Sequence, residues 1–345
     1  LDPLSNVALA PRSTMRVGGS ARYLIEARDD AQVIDALRWA SERALSVRIL
    51  GGGSNVVVSD AGTSGLVIAM QTRGVSLVDD SDAPLLVARA GESWDALVAL
   101  SVSRNLQGIE CLSGIPGLVG ATPIQNVGAY GQEVAQTIES VRVVDRRNLE
   151  VSELGAAECG FSYRHSRFKH DLERYVVLEV RYRLSRGAAP RVTYPELERH
   201  LRARGLERPS LVEVRESVLA VRAQKSMLLD ASDPNGRSCG SFFVNPIVGA
   251  AHAAAIVSRA GDQEVPRWGQ PDGRVKLAAA WLIEQSGFEK GTRRGPVGLS
   301  TRHALSIVCH DGARAADVLG FSREIVDTVR EKFGVELAPE PVIWA

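Results

Sequence analysis

Cysteine is scarce: four residues, at 111, 159, 239 and 309, with no Cys-x-x-Cys pair among them. That pattern excludes a disulfide framework or a cysteine zinc site and suits a reducing compartment. The six histidines form no His-Glu-x-x-His or similar ligand pattern, so no metal is expected. Neither sign of charge is in excess, with 41 Lys+Arg against 41 Asp+Glu. The balance argues against a general polyanion binder, and no nucleic-acid partner is expected. No apolar run reaches the roughly 18 residues of a membrane span, and no signal-peptide pattern opens the chain. A cytoplasmic protein with no membrane insertion is therefore expected. Repeats and low-complexity tracts are absent too. What is there is ordinary for a globular protein: 45% hydrophobic and 24% charged residues, in a length that predicts two or three domains. Arginine greatly outnumbers lysine, so a single arginine is weak evidence of function.

The chain alternates helix and strand signals. DDAQVIDALRWASERA (29–44) has the apolar spacing of an amphipathic helix, and SWDALVALSVSRNL (93–106) reads as a helix capped by Ser93. SVRILGGGSNVVVSD (46–60) reads strand, glycine turn, strand; GLVIAM, PLLVARAG and RYVVLEVRYRL add strands, and VRVVDRRNLEVSEL (141–154) a hairpin near Asn148. Further on, SLVEVRESVLAVRAQKSM (210–227) predicts a helix capped by Ser210, and SREIVDTVREKFG (322–334) one capped by Ser322 and stopped by Gly334. VELAPEPVIWA predicts a closing strand. The class is mixed α+β, with a candidate boundary in the proline- and arginine-rich stretch 186–209.

Two segments carry dense glycine. LGGGSN (50–55) is not a dinucleotide fingerprint, because Val56 stands where the last glycine belongs and β-branched residues follow instead of a helix. A glycine turn between strands still offers consecutive N–H groups to an anion, although a plain tight turn at a sheet edge is equally compatible. GIPGLVGATPIQNVGAYGQ (114–132) puts five glycines and two prolines into nearly uncharged sequence, with Ser113, Thr122, Gln125 and Asn126 as hydrogen-bonding groups. A large, flat, partly anionic cofactor needs such a surface: bare backbone for its diphosphate and amides for its ring edges. The pairing of the two segments resembles the FAD-binding fold of the vanillyl-alcohol oxidase type.

Further motifs sharpen the likeness: STMRVGGSARYL (13–24), FSYRHSRFK (161–169), AVRAQKSM (220–227), CGSFFVNP (239–246), KLAAAWLIEQSG (276–287) and FGVELAPEP (333–341). With the two glycine segments and in this order, they resemble the UDP-N-acetylenolpyruvoylglucosamine reductase family from about residue 13 to 342. The resemblance implies an oxidoreductase acting on a CH–CH bond with NADP+ as acceptor. It would use non-covalent FAD and NADPH to turn UDP-N-acetylglucosamine enolpyruvate into UDP-N-acetylmuramate for bacterial peptidoglycan. A covalent flavin is not expected, since the first histidine, His165, lies beyond both glycine segments.

The resemblance also implies roles. Ser241 would protonate the substrate carbon after hydride addition, Arg164 would meet the substrate carboxylate in a two-pronged geometry, and Glu340 would act as a protonated hydrogen-bond donor. The family usually continues Glu-Val-Arg, whereas Pro341, Val342 and Ile343 follow Glu340 here. Gly51, Gly52, Gly53, Ser54 and Asn55 would hold FAD. Ser113, Gly114, Gly117, Gly120, Ala121, Thr122, Gln125, Asn126 and Gly128 would hold it from the second segment. Tyr194, in VTYPEL, marks the loop-tyrosine (type I) subgroup; it would cover the substrate diphosphate, with Arg222 and Lys225 on one helix face beside it. Asn245 and Gln285 would be further substrate contacts, while Lys276 and His303 have no assigned role.

The expected layout is an FAD-binding subdomain over 1–70, a second over 71–215 joined by the C-terminal 326–345, and a substrate-binding domain over 216–325. A monomer is expected. Two other readings stay open on the residues alone. One is an FAD-dependent oxidase of the same fold; the other is a non-catalytic nucleotide-sugar-binding protein.

Overall fold

The computed structural model describes residues 1–78, 81–261 and 263–344. It divides into two compact units: one of Leu1–Val7, Ala21–Gly53 and Thr63–Leu229, the other of Ala8–Ser20, Ser54–Gly62 and the chain from Asp230 onward.

The two larger sheets of the first unit differ in character. Ser20–Ala27, Thr63–Met70 and Val47–Leu50 run parallel, with Leu4–Ala8 at the edge beside Ser20–Ala27. Thr63–Met70 is buried almost end to end, as a central parallel strand must be. The helix Asp30–Ser41 covers this sheet and begins where Asp29 accepts the Gln32 N–H at 2.8 Å. The second sheet is antiparallel, in the order Val151–Gly155, Ile138–Asp145, Tyr175–Arg183, Leu85–Arg89, Val75–Val78. Val141, Val143, Val176, Val180 and Tyr182 are buried in one core with Ile68, Leu37 and Trp94, while register shifts between Ile138 and Ser140 and between Arg142 and Val143 interrupt the alternation of faces. Asp30, in the first turn of the helix, accepts from both Arg89 and Arg142 of the antiparallel sheet.

Two expectations about the middle of the chain meet different local structure. The stretch 186–209 contains the helix Pro195–Ala203, and its Leu197 and Leu201 pack with Val214, Val218 and Val221. Residue 215 lies inside the helix Leu211–Gln224, which starts at a capping box of Ser210 and Glu213. Apolar residues at helical spacing on both segments bury each other; the helix from Ser210 was expected, whereas the proline and arginine content obscured the one at 195–203.

The second unit has its own core, around Phe242, Phe243, Leu282, Ile307, Val318 and Ile325. The strand Val342–Trp344 runs parallel to Val56–Val58 in this unit. The long helix spans Ala315–Phe333 and stops at Gly334, φ 67°. It therefore starts seven residues before Ser322. Ser322 lies inside it, donating to the Leu319 carbonyl at 2.9 Å. The real cap comes from far away in sequence: Asp60 accepts the N–H groups of Ala315 at 2.8 Å and Ala316 at 3.0 Å.

Candidate functional site

The two glycine segments meet inside the first unit. A Cβ built on Gly52 would lie 2.9 Å from Gly117 Cα, so only bare backbone fits there. Gly51 faces Leu118, Gly53 turns with φ 65°, and Gly120 lies against Ala90, where a Cβ would come within 2.7 Å of its Cβ. This crossing is a cradle of backbone, suited to the diphosphate of a dinucleotide such as FAD. Ser54 and Asn55 belong to the second unit, where Asn55 Nδ2 donates to the Glu340 carbonyl at 3.4 Å.

The hydroxyls of Ser113 and Thr122, the Asn126 amide and the Gln125 amide oxygen all have partners inside the protein. Ser113 Oγ donates to the Glu110 carbonyl at 2.6 Å, and Thr122 shares a 2.7 Å hydrogen bond with the Tyr182 hydroxyl. Ala121 closes a turn by donating its N–H to the Leu118 carbonyl at 3.0 Å. Asn126, left-handed at φ 41°, donates to Glu133 at 3.0 Å and the Ser162 carbonyl at 2.9 Å, and accepts the Ala135 N–H at 3.2 Å. Gln125 Oε1 accepts from Lys169 Nζ at 3.0 Å. These side chains build the loop, and Lys169 was not singled out in the sequence although it closes the FSYRHSRFK motif.

Arg164 stands at the tip of a tight turn closed by Ser162 and His165, whose backbones bond each other in both directions at 3.0 Å. Its φ of 52° is costly for a residue with a side chain, and such conformations persist where the surroundings enforce them. Nη2 donates to the Gly128 carbonyl at 2.8 Å, and a Cβ on Gly128 would meet Nη1 at 3.2 Å.

Tyr194 ends the loop before Pro195–Ala203 and sets its ring edge-on to Tyr130, centroids 5.5 Å apart. Tyr130 is a functional candidate that the sequence reading passed over, although it sits in the quoted GAYGQ. Burial, partly offset by the Arg222 charge, pushes its hydroxyl up to about 12. Arg222 is buried; it donates to the Met227 carbonyl at 2.7 Å, and its charge acts on the nearby Tyr130 hydroxyl. Lys225 stands just past the end of the helix, not on its face; it pairs with Glu196 and lies 6.0 Å from the Tyr130 ring centroid. Tyr130, Tyr194, Arg222 and Lys225 thus form one cationic, aromatic cluster within the first unit.

In the second unit, the half-buried Ser241 is fixed on both sides. Ser306 Oγ donates to the Gly240 carbonyl at 2.8 Å, and the Phe242 N–H donates to the Leu305 carbonyl at 2.7 Å. Phe243 bridges Pro339 antiparallel, which brings Glu340 opposite Phe242. Asn245 Oδ1 accepts the Ala279 N–H at 2.9 Å and so caps the helix Ala279–Gln285 that ends in Gln285. Lys332 donates to the Gln285 backbone carbonyl. Lys276 Nζ lies 5.3 Å from the Trp268 ring centroid, and His303 Nδ1 accepts the Leu305 N–H at 3.1 Å.

An FAD-binding domain model matches residues 21–154, and a model of the UDP-N-acetylenolpyruvoylglucosamine reductase C-terminal domain matches 232–344. The UDP-N-acetylenolpyruvoylglucosamine reductase of Saccharopolyspora erythraea is 47% identical, covering 99% of this chain and 95% of its own length. That of Streptomyces avermitilis is 46% identical over 98% and 94%. The crystal structure of the Thermus caldophilus reductase superposes with a TM-score of 0.67 at 25% identity, covering 100% of this chain and 99% of its own. The chain belongs to the UDP-N-acetylenolpyruvoylglucosamine reductase family.

Proposed function

We propose that this protein reduces the enolpyruvyl group of UDP-N-acetylglucosamine enolpyruvate with NADPH, giving UDP-N-acetylmuramate for peptidoglycan. The observation that carries the reading is near-full-length identity to reductases of that name, joined to a backbone cradle where Gly52 meets Gly117. FAD, when bound, supplies the hydride relay between NADPH and the alkene. Gly51, Gly52, Gly53, Gly114, Gly117 and Gly120 are among the residues of the two segments that would hold it.

The remaining chemistry falls to the chain. Addition of hydride to C3 pushes charge onto C2 and the carboxylate of the substrate. Arg164 stays cationic throughout and is suited to meeting that carboxylate with a planar, two-pronged donor. Ser241 then delivers a proton to C2 from Oγ. Its backbone is held by Ser306 and Leu305, which limits the motion that would spoil proton transfer. Glu340 is the third side chain assigned to this chemistry, on the segment paired with Phe242. Asn245 supports this site through the helix that it caps.

The cluster of Tyr194, Tyr130, Arg222 and Lys225 supports assignment to the loop-tyrosine subgroup, with the substrate diphosphate as its ligand. In this reading the first unit supplies cofactor and diphosphate binding, and the second supplies the proton donor. Anaerobic visible spectroscopy tests the whole. Flavin bands should bleach with NADPH and return when the enolpyruvyl substrate is added. Colour that returns only with air would identify an oxidase. Binding of the substrate without any reoxidation would identify a sensor.

A further inference from the structure

The helix Trp94–Ser103 opens directly against the proline–glycine loop. Trp94, fully buried, donates from Nε1 to the Leu112 carbonyl and from its backbone N–H to the Gly117 carbonyl, each at 3.1 Å. Asp95, next in the chain, accepts the Gly114 N–H on Oδ1 at 2.6 Å. The same carboxylate takes both arms of Arg215: Nη1 on Oδ1 at 2.6 Å and Nη2 on Oδ2 at 2.9 Å. Arg215 lies on the helix Leu211–Gln224, about two turns before Arg222. Gly114 leaves no slack between loop and helix, since a Cβ there would fall 2.8 Å from Leu219 Cδ2 and 2.6 Å from Leu228 Cδ2.

We propose that Asp95 is a positioning residue that ties the cofactor loop at Gly114 to the helix carrying Arg222, and so couples FAD binding to binding of the substrate's nucleoside diphosphate. The proposal rests on assigning the loop to FAD and the Arg222 cluster to the diphosphate. Exposed ion pairs contribute little, and the Asp95 side chain is 38% exposed, but the pair is bidentate, its Arg215 side chain is 17% exposed, and a third, charge-assisted bond comes from Gly114. Burial acts to raise the Asp95 pKa. The hydrogen bonds from Arg215 and Gly114 and the charges of Arg215 and Arg222 outweigh it, so the carboxyl sits below its ordinary value and stays ionised. A ligand that orders one end of this tether orders the other, and such coupling is reciprocal in binding.

The test measures FAD affinity with and without saturating UDP, together with steady-state kinetics, in the wild type, Asp95→Asn and Arg215→Gln. In the wild type, UDP should tighten FAD by about fivefold or more. In both variants that factor should fall toward one and KM for the substrate should rise about tenfold, with kcat held within about twofold. Asp95→Asn should also weaken FAD itself, because Gly114 loses its charged acceptor; Arg215→Gln, which keeps that acceptor, should not. If Asp95→Asn fails to fold, Arg215→Gln carries the test. An unchanged coupling factor in the folded variants overturns the proposal, as does a wild type that binds both ligands independently while turning over substrate. A wild type that binds neither FAD nor UDP overturns the functional reading itself.

Discussion

The Glu340 N–H donates to the Phe242 carbonyl at 2.8 Å, and the Val244 N–H donates to the Ala338 carbonyl at 3.0 Å. This short antiparallel bridge sets the proposed acid, Ser241, and Glu340 on adjoining segments within one unit. Two residues almost a hundred positions apart in sequence are thereby held in fixed register. That register is a property of the backbone, so side-chain substitutions at either position leave it intact.

Substitution of Ser241 by alanine removes only the hydroxyl from this frame. Turnover is expected to fall about 10²–10⁴-fold, equivalent to roughly 3–5 kcal/mol of barrier. Flavin reduction by NADPH, followed by stopped flow, should keep its rate, because that half-reaction does not use the proton. Normal turnover in Ser241→Ala would exclude Ser241 as the acid.

Gly52→Ala tests the cradle. The new methyl group would need the space of Gly117 Cα, 2.9 Å away, and backbone cannot swing aside as a side chain can. Flavin content of the purified variant should drop at least about tenfold, with little change in far-ultraviolet circular dichroism. Full flavin retention would show that the two segments need not meet to hold the cofactor.

Gly128→Ala presses on Arg164. The added Cβ would lie 3.2 Å from Nη1, 3.0 Å from the Gln132 carbonyl and 2.7 Å from Glu133 Cγ. Arg164 would then lose its 2.8 Å bond to the Gly128 carbonyl. Substrate KM should rise, and kcat should fall by about tenfold or more, as a misplaced carboxylate contact demands. Unaltered kinetics with an intact fold would separate Arg164 from the reaction.

Buried thiols set an alkaline limit. Burial pushes Cys159 and Cys309 from 9.0 up to about 12, each partly opposed by a nearby arginine, Arg167 and Arg237 respectively. The folded state therefore favours the neutral thiol. The stability this confers is whole below pH 9 and is lost as pH rises from there towards 12. The unfolding free energy from urea denaturation should be level through neutrality and decline above about pH 9, by at most about 1.4 kcal/mol per pH unit for each thiol. An unbroken plateau to pH 10.5 would show that these thiols ionise inside the fold.

Much of the architecture was legible because local signals agreed with it. Asp29, Ser93 and Ser210 cap the helices that the apolar spacing predicts, and the strands around both glycine segments follow from their β-branched runs. The motifs also located the family. The sequence did not reveal relations made only by folding. Gln125 and Asn126 read in one dimension as ligand-facing amides; only the fold shows that Lys169 engages the Gln125 oxygen and that Asn126 bonds Glu133 and the Ser162 carbonyl. Tyr130, although inside the second glycine segment, and Asp95 acquire meaning only through Arg222 and Arg215.

The helix Ala315–Phe333 makes the same point and yields a final test. Its first N–H groups have no intrahelical partners, and Ser322 is too deep in the helix to serve them. Asp60 supplies both oxygens instead, at 2.8 Å to Ala315 and 3.0 Å to Ala316, with its charge at the positive end of the helix. Asp60→Ala should cost about 1–2 kcal/mol and lower the melting temperature of this unit by about 2–4 °C for each kcal/mol. Asp60→Asn, which retains one acceptor, should recover part of the loss. Amide exchange at residues 315–318 is the sharper measure. Faster exchange confined to that first turn would establish a cap supplied from a distant segment, whereas unchanged exchange would mean that Arg314 and Asp317 suffice to start the helix.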